Sequence, residues 1–234
     1  MANILVAGVY MADRKNLAKS LIHELSRSSQ HTIVQRWIAL TPSGRGICDL
    51  PSTEMILTDP LPKFMAINLV TKDATNFDWL LLCDDDIEVE EGFLDIIIGL
   101  SEKYDFAVSQ PARTVDSYTD HPIVQLMPGL RARRTRFVEI GPLVCIRRDA
   151  MHLLLPFSES AGMGWGLDLI WPKHLESAEM RMGIVDAAPV AHRLRPPANL
   201  YDSSDALQEM FWRLAGHEHL TFDDAFTVLE AYSS

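Results

Sequence analysis

The chain has 234 residues, 47% apolar and 23% charged, with a formal net charge of −11. That length and apolar share suit a sizeable core in one large domain or two small ones. The negative charge argues against nucleic acid or an anionic membrane surface as partner, since both need a basic face, and no window approaches the ~20 continuous apolar residues of a membrane span.

Residues 3–10, NILVAGVY, form an apolar run that predicts a buried strand. Over 13–27, Leu17, Leu21, Ile22 and Leu25 recur at helical spacing behind Asp13 as a cap. HTIVQRWIAL (31–40) alternates and is β-branched, a second strand. Prolines and glycines make 41–62 a loop with one short strand near 55–57. A helix over 64–74 leads to a third strand, FDWLLLC (77–83). A helix over 90–103 and a strand over 105–111, ended by Pro111, follow. Residues 112–136 read as polar and irregular, and 136–151 as two apolar bursts split by Gly141-Pro142. A glycine-rich stretch opens a helix near Leu167, RMGIVDAAPVAH forms a last core strand, and two amphipathic helices follow from Ser203. The second opens on Thr221 and Asp224, a capping-box pattern. Buried strands alternating with helices predict an α/β domain on a mostly parallel central sheet, spanning 1–200, with a helical C-terminal tail over 201–234. That tail is expected to offer a surface for homo-oligomers.

Cys48, Cys83 and Cys145 are widely spaced and form no CxxC, and the last two lie in apolar runs. With no basic region opening MANILVAGVY, a cytoplasmic protein is expected. Arg131, Arg133, Arg134 and Arg136 cluster within a few residues, a pattern that suits a phosphate-bearing or acidic ligand. His217 and His219 are too close together on a turn to make a metal site without further ligands.

The stretch DWLLLCDDDIEVEE (78–91) drives a buried strand straight into Asp84, Asp85 and Asp86. Adjacent carboxylates repel and are costly to desolvate unless a cation or hydrogen bonds meet them. In an open α/β sheet this strand end is where ligands bind. The sensible partners are a hard divalent ion or nearby arginines; a solvated acidic turn is the bland reading. Two further places carry chemistry. Gly162-Met163-Gly164-Trp165-Gly166-Leu167-Asp168 offers close backbone approach, a flat aromatic face on which a sugar could stack, and a carboxylate that could act as base or simply cap a helix. His192 follows an apolar strand, where a lone histidine is a core, surface or ligand group.

That order of motifs resembles the GT-A glycosyltransferases. SQPARTVDSYTDHPIVQ, RRTRFVEIGPLVCIRRDAM, GWGLDLIW and MGIVDAAPVAHR resemble, more narrowly, a poorly characterised GT-A-like family of plants and bacteria, over about residues 60–197. The resemblance implies a GT-A-like fold and transfer of a sugar from a nucleoside-diphosphate sugar, a UDP-sugar first among them, to an acceptor hydroxyl whose identity the sequence leaves unknown. It implies Mn²⁺ or Mg²⁺ held by Asp86, Asp84 and His192. It also implies Asp84 and Asp85 at the nucleotide and Asp168 as catalytic base. Tyr10, Arg113, Trp165 and Arg193 join these as donor-binding candidates, and Arg195 could join Arg193 on the diphosphate. One departure stands out: galactosyltransferases carry Gly-Trp-Gly-Gly-Glu-Asp, whereas this chain has Gly-Trp-Gly-Leu-Asp-Leu, with a single acid. The rival readings are a metal-dependent phosphoryl or nucleotidyl transferase, which lacks support from any G-x-x-x-x-G-K-[ST] loop, and a non-catalytic sugar-nucleotide-binding protein.

Overall fold

The structure is a computed structural model that describes residues 1–59, 61–196 and 203–233. Its centre is a twisted sheet. Strand β1 (Asn3–Met11) pairs in parallel with β2 (Thr32–Leu40) on one side and β4 (Trp79–Cys83) on the other, and β2 pairs in parallel with β3 (Thr53–Leu57). Beyond β4 come β8 (Leu143–Arg147), β6 (Phe106–Arg113), β9 (Arg181–His192), β7 (Ala132–Thr135) and β10 (Val228–Tyr232), while the short β5 (Ile87–Glu88) pairs with the end of β9.

Successive side chains on a strand point to opposite faces, and both faces of this sheet are covered. Ile4, Val6 and Tyr10 of β1 join a core with α1 (Ala18–Leu25) and α3 (Phe93–Lys103). Leu5, Ala7 and Val9 join the opposite core with α2 (Lys63–Val70), α4 (Arg148–Leu154) and α5 (Leu167–Ser177). Burial on both sides is why β1 and β4 read as unbroken apolar runs. A third cluster joins Leu169 and Ile170 of α5 to Met210 and Leu214 of α6 (Ser203–Ala215) and Ala225 of the one-turn α7 (Phe222–Ala225).

Several expectations change. The sheet is mixed rather than mostly parallel: β8 runs antiparallel to both β4 and β6, and β7 and β10 are antiparallel to their neighbours. A strand buried on both faces has the same apolar pattern whichever way it runs. The C-terminal segment is not wholly helical, because after α7 the chain pairs with β7 as β10. The proposed boundary at 200 falls outside the described residues. Helix α1 starts at Ala18, whose N–H is met by Asn16 Oδ1 at 3.2 Å, so Asp13 is not its cap. Strand β6 runs through Pro111 to Arg113, the proline lying where the β6–β9 register slips, a place where its missing N–H is tolerated. Helix α4 and strand β7 lie in stretches read as irregular or as apolar bursts.

Three of the four clustered arginines are structural, and Arg131 alone is exposed. Strand alternation sends Arg133 into the core, fully buried, where Nε donates to Asp186 Oδ2 at 2.9 Å and Nη2 to Oδ1 at 3.0 Å. Arg134 pairs with Glu230 and Arg136 with Glu176, each at 2.6 Å. These three guanidiniums are spent on internal carboxylates and offer no basic patch to a ligand.

Candidate active site

The C-terminal ends of β1 and β4 open onto a cavity of about 1340 Å³ that reaches across to the glycine-rich loop and α6. Asp84, Asp85 and Asp86 leave β4 at its floor, and each is met by protein donors. Asp84 Oδ1 lies 2.6 Å from Lys63 Nζ, at the start of α2. Asp85, 4% exposed, accepts from the Met11 N–H at 2.7 Å and is paired with Arg195. Burial pushes its carboxyl up to about 6, against the pull of Arg195 and the Met11 amide.

Topology brings Asp86 to His192. Antiparallel pairing sets Ile87 opposite His192, and the neighbouring Asp86 Oδ2 lies 3.2 Å from His192 Nε2 and 3.2 Å from Arg195 Nε. Burial alone would raise the Asp86 carboxyl; the contacts with His192 and Arg195 outweigh it and hold it below the ordinary value. On the other edge of the imidazole, Nδ1 faces Arg113 Nη1 at 3.1 Å. Arg113, 3% exposed at the end of β6, also donates to Glu139 at 2.7 Å and to the Gly141 carbonyl at 2.9 Å.

The opposite wall is the glycine loop. Gly164 has φ +87°, and a Cβ there would lie 2.2 Å from the Phe64 ring, so only glycine lets the loop close on α2. Gly166, at φ +88°, precedes α5 and sets Asp168 in its first turn. Arg213 of α6 donates to the Ser160 and Trp165 carbonyls and fastens the loop from outside. Asp168 lines the cavity; burial, and then the negative charge of Glu139, push its carboxyl up to about 7. Backbone amides at the start of α5 work against that rise.

The structure thus brings Asp84, Asp85, Asp86, Arg113, Trp165, Asp168, His192 and Arg195 to one cavity. Tyr10 lines it too but is 1% exposed, its hydroxyl 2.9 Å from Thr53 Oγ1. Arg193 is not brought in. It points outward and pairs with Glu88 and Asp116, so the guanidinium at the aspartates is that of Arg195. Lys63 and Glu139 were not singled out from the sequence. The signal for Glu139 was there, a lone acid between Val138 and Ile140 in an apolar run.

A divalent ion held jointly by Asp84, Asp86 and His192 does not fit this arrangement. Among the described residues no three carboxylate, imidazole or thiol groups converge on one point. Asp84 is turned to Lys63, and Asp86 Oδ2 is already met by His192 and Arg195. An imidazole that ligates a metal ordinarily donates its other ring N–H to an acceptor; Nδ1 of His192 instead faces a guanidinium, which has only donors. At the tail, His217 and His219 turn Nδ1 to the carbonyls of Arg213 and His217. Among the described residues no helix is long and apolar enough to cross a membrane.

No protein-family model matches the chain, and no curated protein matches it by sequence, so the narrower likeness rests on the motifs alone. Solved structures do match. GalNAc-T7 with UDP, GalNAc and Mn²⁺ superposes at a TM-score of 0.61 and 11% identity, over 91% of this chain and 49% of that one. Staphylococcus aureus TarS (residues 1–349) in complex with UDP-GlcNAc superposes at 0.58 and 10% identity, over 92% of this chain and 66% of that one. This chain therefore spans about half of the first neighbour and about two thirds of the second. These superpositions give the chain the fold of the GT-A glycosyltransferases.

Proposed function

We propose that this protein transfers a sugar from a nucleoside-diphosphate sugar, a UDP-sugar, to an acceptor hydroxyl. The observation that carries the reading is the pairing of two ends within one cavity. At one end Arg195 Nη1 is buried with no hydrogen-bond partner among the described residues, a donor that a diphosphate oxygen would satisfy. At the other end Asp168 sits with its carboxyl near neutrality, the range in which a carboxylate is both available and basic enough to take a proton. GalNAc-T7 and TarS, of the same fold, were crystallised with UDP or a UDP-sugar, which supports the donor class.

In this reading the Asp84, Asp85 and Asp86 carboxylates hold Lys63 and Arg195 at the cavity floor, and these cations face the donor diphosphate. Charge builds on that diphosphate as the anomeric C–O bond breaks, and fixed cations in a water-poor site stabilise it. The acceptor oxygen forms the new bond to the anomeric carbon. Its proton goes to Asp168, and the electron pair of the broken bond leaves with the nucleoside diphosphate. Mn²⁺ or Mg²⁺ dependence is a finer reading carried by the family resemblance. It requires Asp86 to release Arg195 and His192 to release Arg113. A cytoplasmic setting is part of the same proposal, supported by three unpaired cysteines.

The test is a product assay with UDP-, GDP- and TDP-sugars, run with EDTA and with Mn²⁺. Release of nucleoside diphosphate together with a glycosylated acceptor is expected. Release of pyrophosphate, or nucleotide binding with no product, contradicts the proposal.

A further inference from the structure

The C-terminal segment builds the far end of the cavity, and its side chains carry information about the acceptor. Helix α6 lies against the glycine loop, with Met210 closing over Gly166 and Arg213 tied to two loop carbonyls. From α6, Leu207 and Phe211 line the cavity, and Phe222 joins them from α7. These three stay 41%, 59% and 44% exposed. Large apolar side chains left partly uncovered in the lining of one cavity are surface that an apolar ligand body would bury.

Charge narrows the ligand further. Besides Glu139, which Arg113 meets, the carboxylates of Asp120, Asp168, Asp205 and Glu209 line the cavity away from the strand-end aspartates. The basic side chains in the lining stand at the other end: Lys63 and Arg195 on the strand-end aspartates, where the reading above puts the donor diphosphate, and Arg113 on Glu139. Arg14 stands on the loop after β1, beside Asp13. A negatively charged acceptor would meet like charge without a partner, and like-charge juxtaposition is a strong means of rejecting a ligand.

We propose that the α6–α7 end of the cavity is the acceptor subsite and that it takes an uncharged hydroxyl compound with a flat apolar body, of the aryl alcohol or aryl glycoside type. Phosphorylated and carboxylated acceptors are rejected there. The ring rests on Leu207, Phe211 and Phe222, and the hydroxyl reaches Asp168. The proposal rests on the transferase reading above, since it needs a donor at the aspartate end.

Calorimetric titration of the full chain with 2-naphthyl β-glucoside and with its 6-phosphate tests it. The neutral probe is expected to bind about tenfold or more tighter than the phosphate, a difference of about 1.4 kcal/mol. Leu207→Asp and Phe211→Asp, both at exposed positions, are each expected to weaken the neutral probe about tenfold with UDP affinity unchanged. Equal or tighter binding of the phosphate overturns the proposal, as do variants that bind the neutral probe like the parent. Light scattering on the same variants separates the rival use of these residues: a changed oligomeric state with unchanged glucoside affinity assigns them to self-association and overturns the subsite. UDP affinity, read in the same series, tests the donor reading separately. A chain that binds the naphthyl glucoside but no UDP contradicts the transferase and supports the apolar subsite.

Discussion

Arg113 Nη1 lies 3.1 Å from His192 Nδ1, and that single contact fixes the imidazole's tautomer. A guanidinium has five donors and no acceptor, so Nδ1 accepts and the ring hydrogen resides on Nε2, which donates to Asp86 at 3.2 Å. Long-range ¹⁵N–¹H NMR of the parent is expected to report the Nε2–H form, and Arg113→Met is expected to release that preference. A protonated Nδ1 in the parent contradicts the assignment.

Arg195 guards Asp86. Because its Nε shares Asp86 Oδ2 with His192, any cation approaching that carboxylate competes with a guanidinium already in place. Arg195→Met is expected to tighten nucleotide-free Mn²⁺ binding by about tenfold, about 1.4 kcal/mol, measured by the paramagnetic effect of Mn²⁺ on water relaxation. The same variant is expected to weaken UDP. Unchanged Mn²⁺ affinity means that Arg195 does not compete for the site.

Asp168 makes folding stability depend on pH in a definite direction. Its carboxyl rises from 3.8 to about 7 on folding, burial first among the causes. Between those values the folded chain holds a proton that the unfolded chain has lost, so the residue's contribution to stability falls as pH rises from 3.8 to about 7. Asp168→Asn removes the effect. Its melting temperature is expected to exceed the parent's near pH 8 and to converge on it near pH 4, as read by thermal unfolding across that range. A constant difference refutes the raised carboxyl.

The Arg133–Asp186 pair is fully buried on both sides. Replacing one partner strands the other's charge, which costs about 3–5 kcal/mol for a buried pair. Arg133→Met is expected to lower urea-derived stability by roughly that amount, and adding Asp186→Asn is expected to recover part of it. A loss below about 1 kcal/mol would put the pair in the class of solvent-screened surface bridges.

Much of the fold was legible because its signals are local. The runs 3–10 and 79–83 are short, unbroken and apolar, as strands buried on both faces are, and three acids at the end of such a strand announce a site. Asp168 and His192, read from their own short motifs, line the same cavity as those acids. What was misread depends on partners far away in sequence. Arg133 looks like part of a ligand-binding patch until Asp186, 53 residues on, is seen to occupy it. Arg193 and Arg195 are equivalent on paper; both lie past the end of β9, where the chain bends, and one turns outward to Glu88 while the other reaches inward to Asp85. Strand β10 was hidden because its side chains are largely exposed, and exposed pairing leaves no apolar alternation to read.

The most direct test of the central claim is glycosyl transfer from UDP-sugars to an aryl glycoside, comparing the parent with Asp168→Asn at pH 7.5. The parent is expected to release UDP and form the glycosylated product. Asn keeps the side-chain shape but takes no proton, so turnover in the variant is expected to fall by about 10²–10⁴ with UDP affinity nearly unchanged. A parent that forms no product from any UDP-sugar, or a variant that turns over at the parent's rate, would contradict the assignment of this cavity as a transferase site with Asp168 as its base.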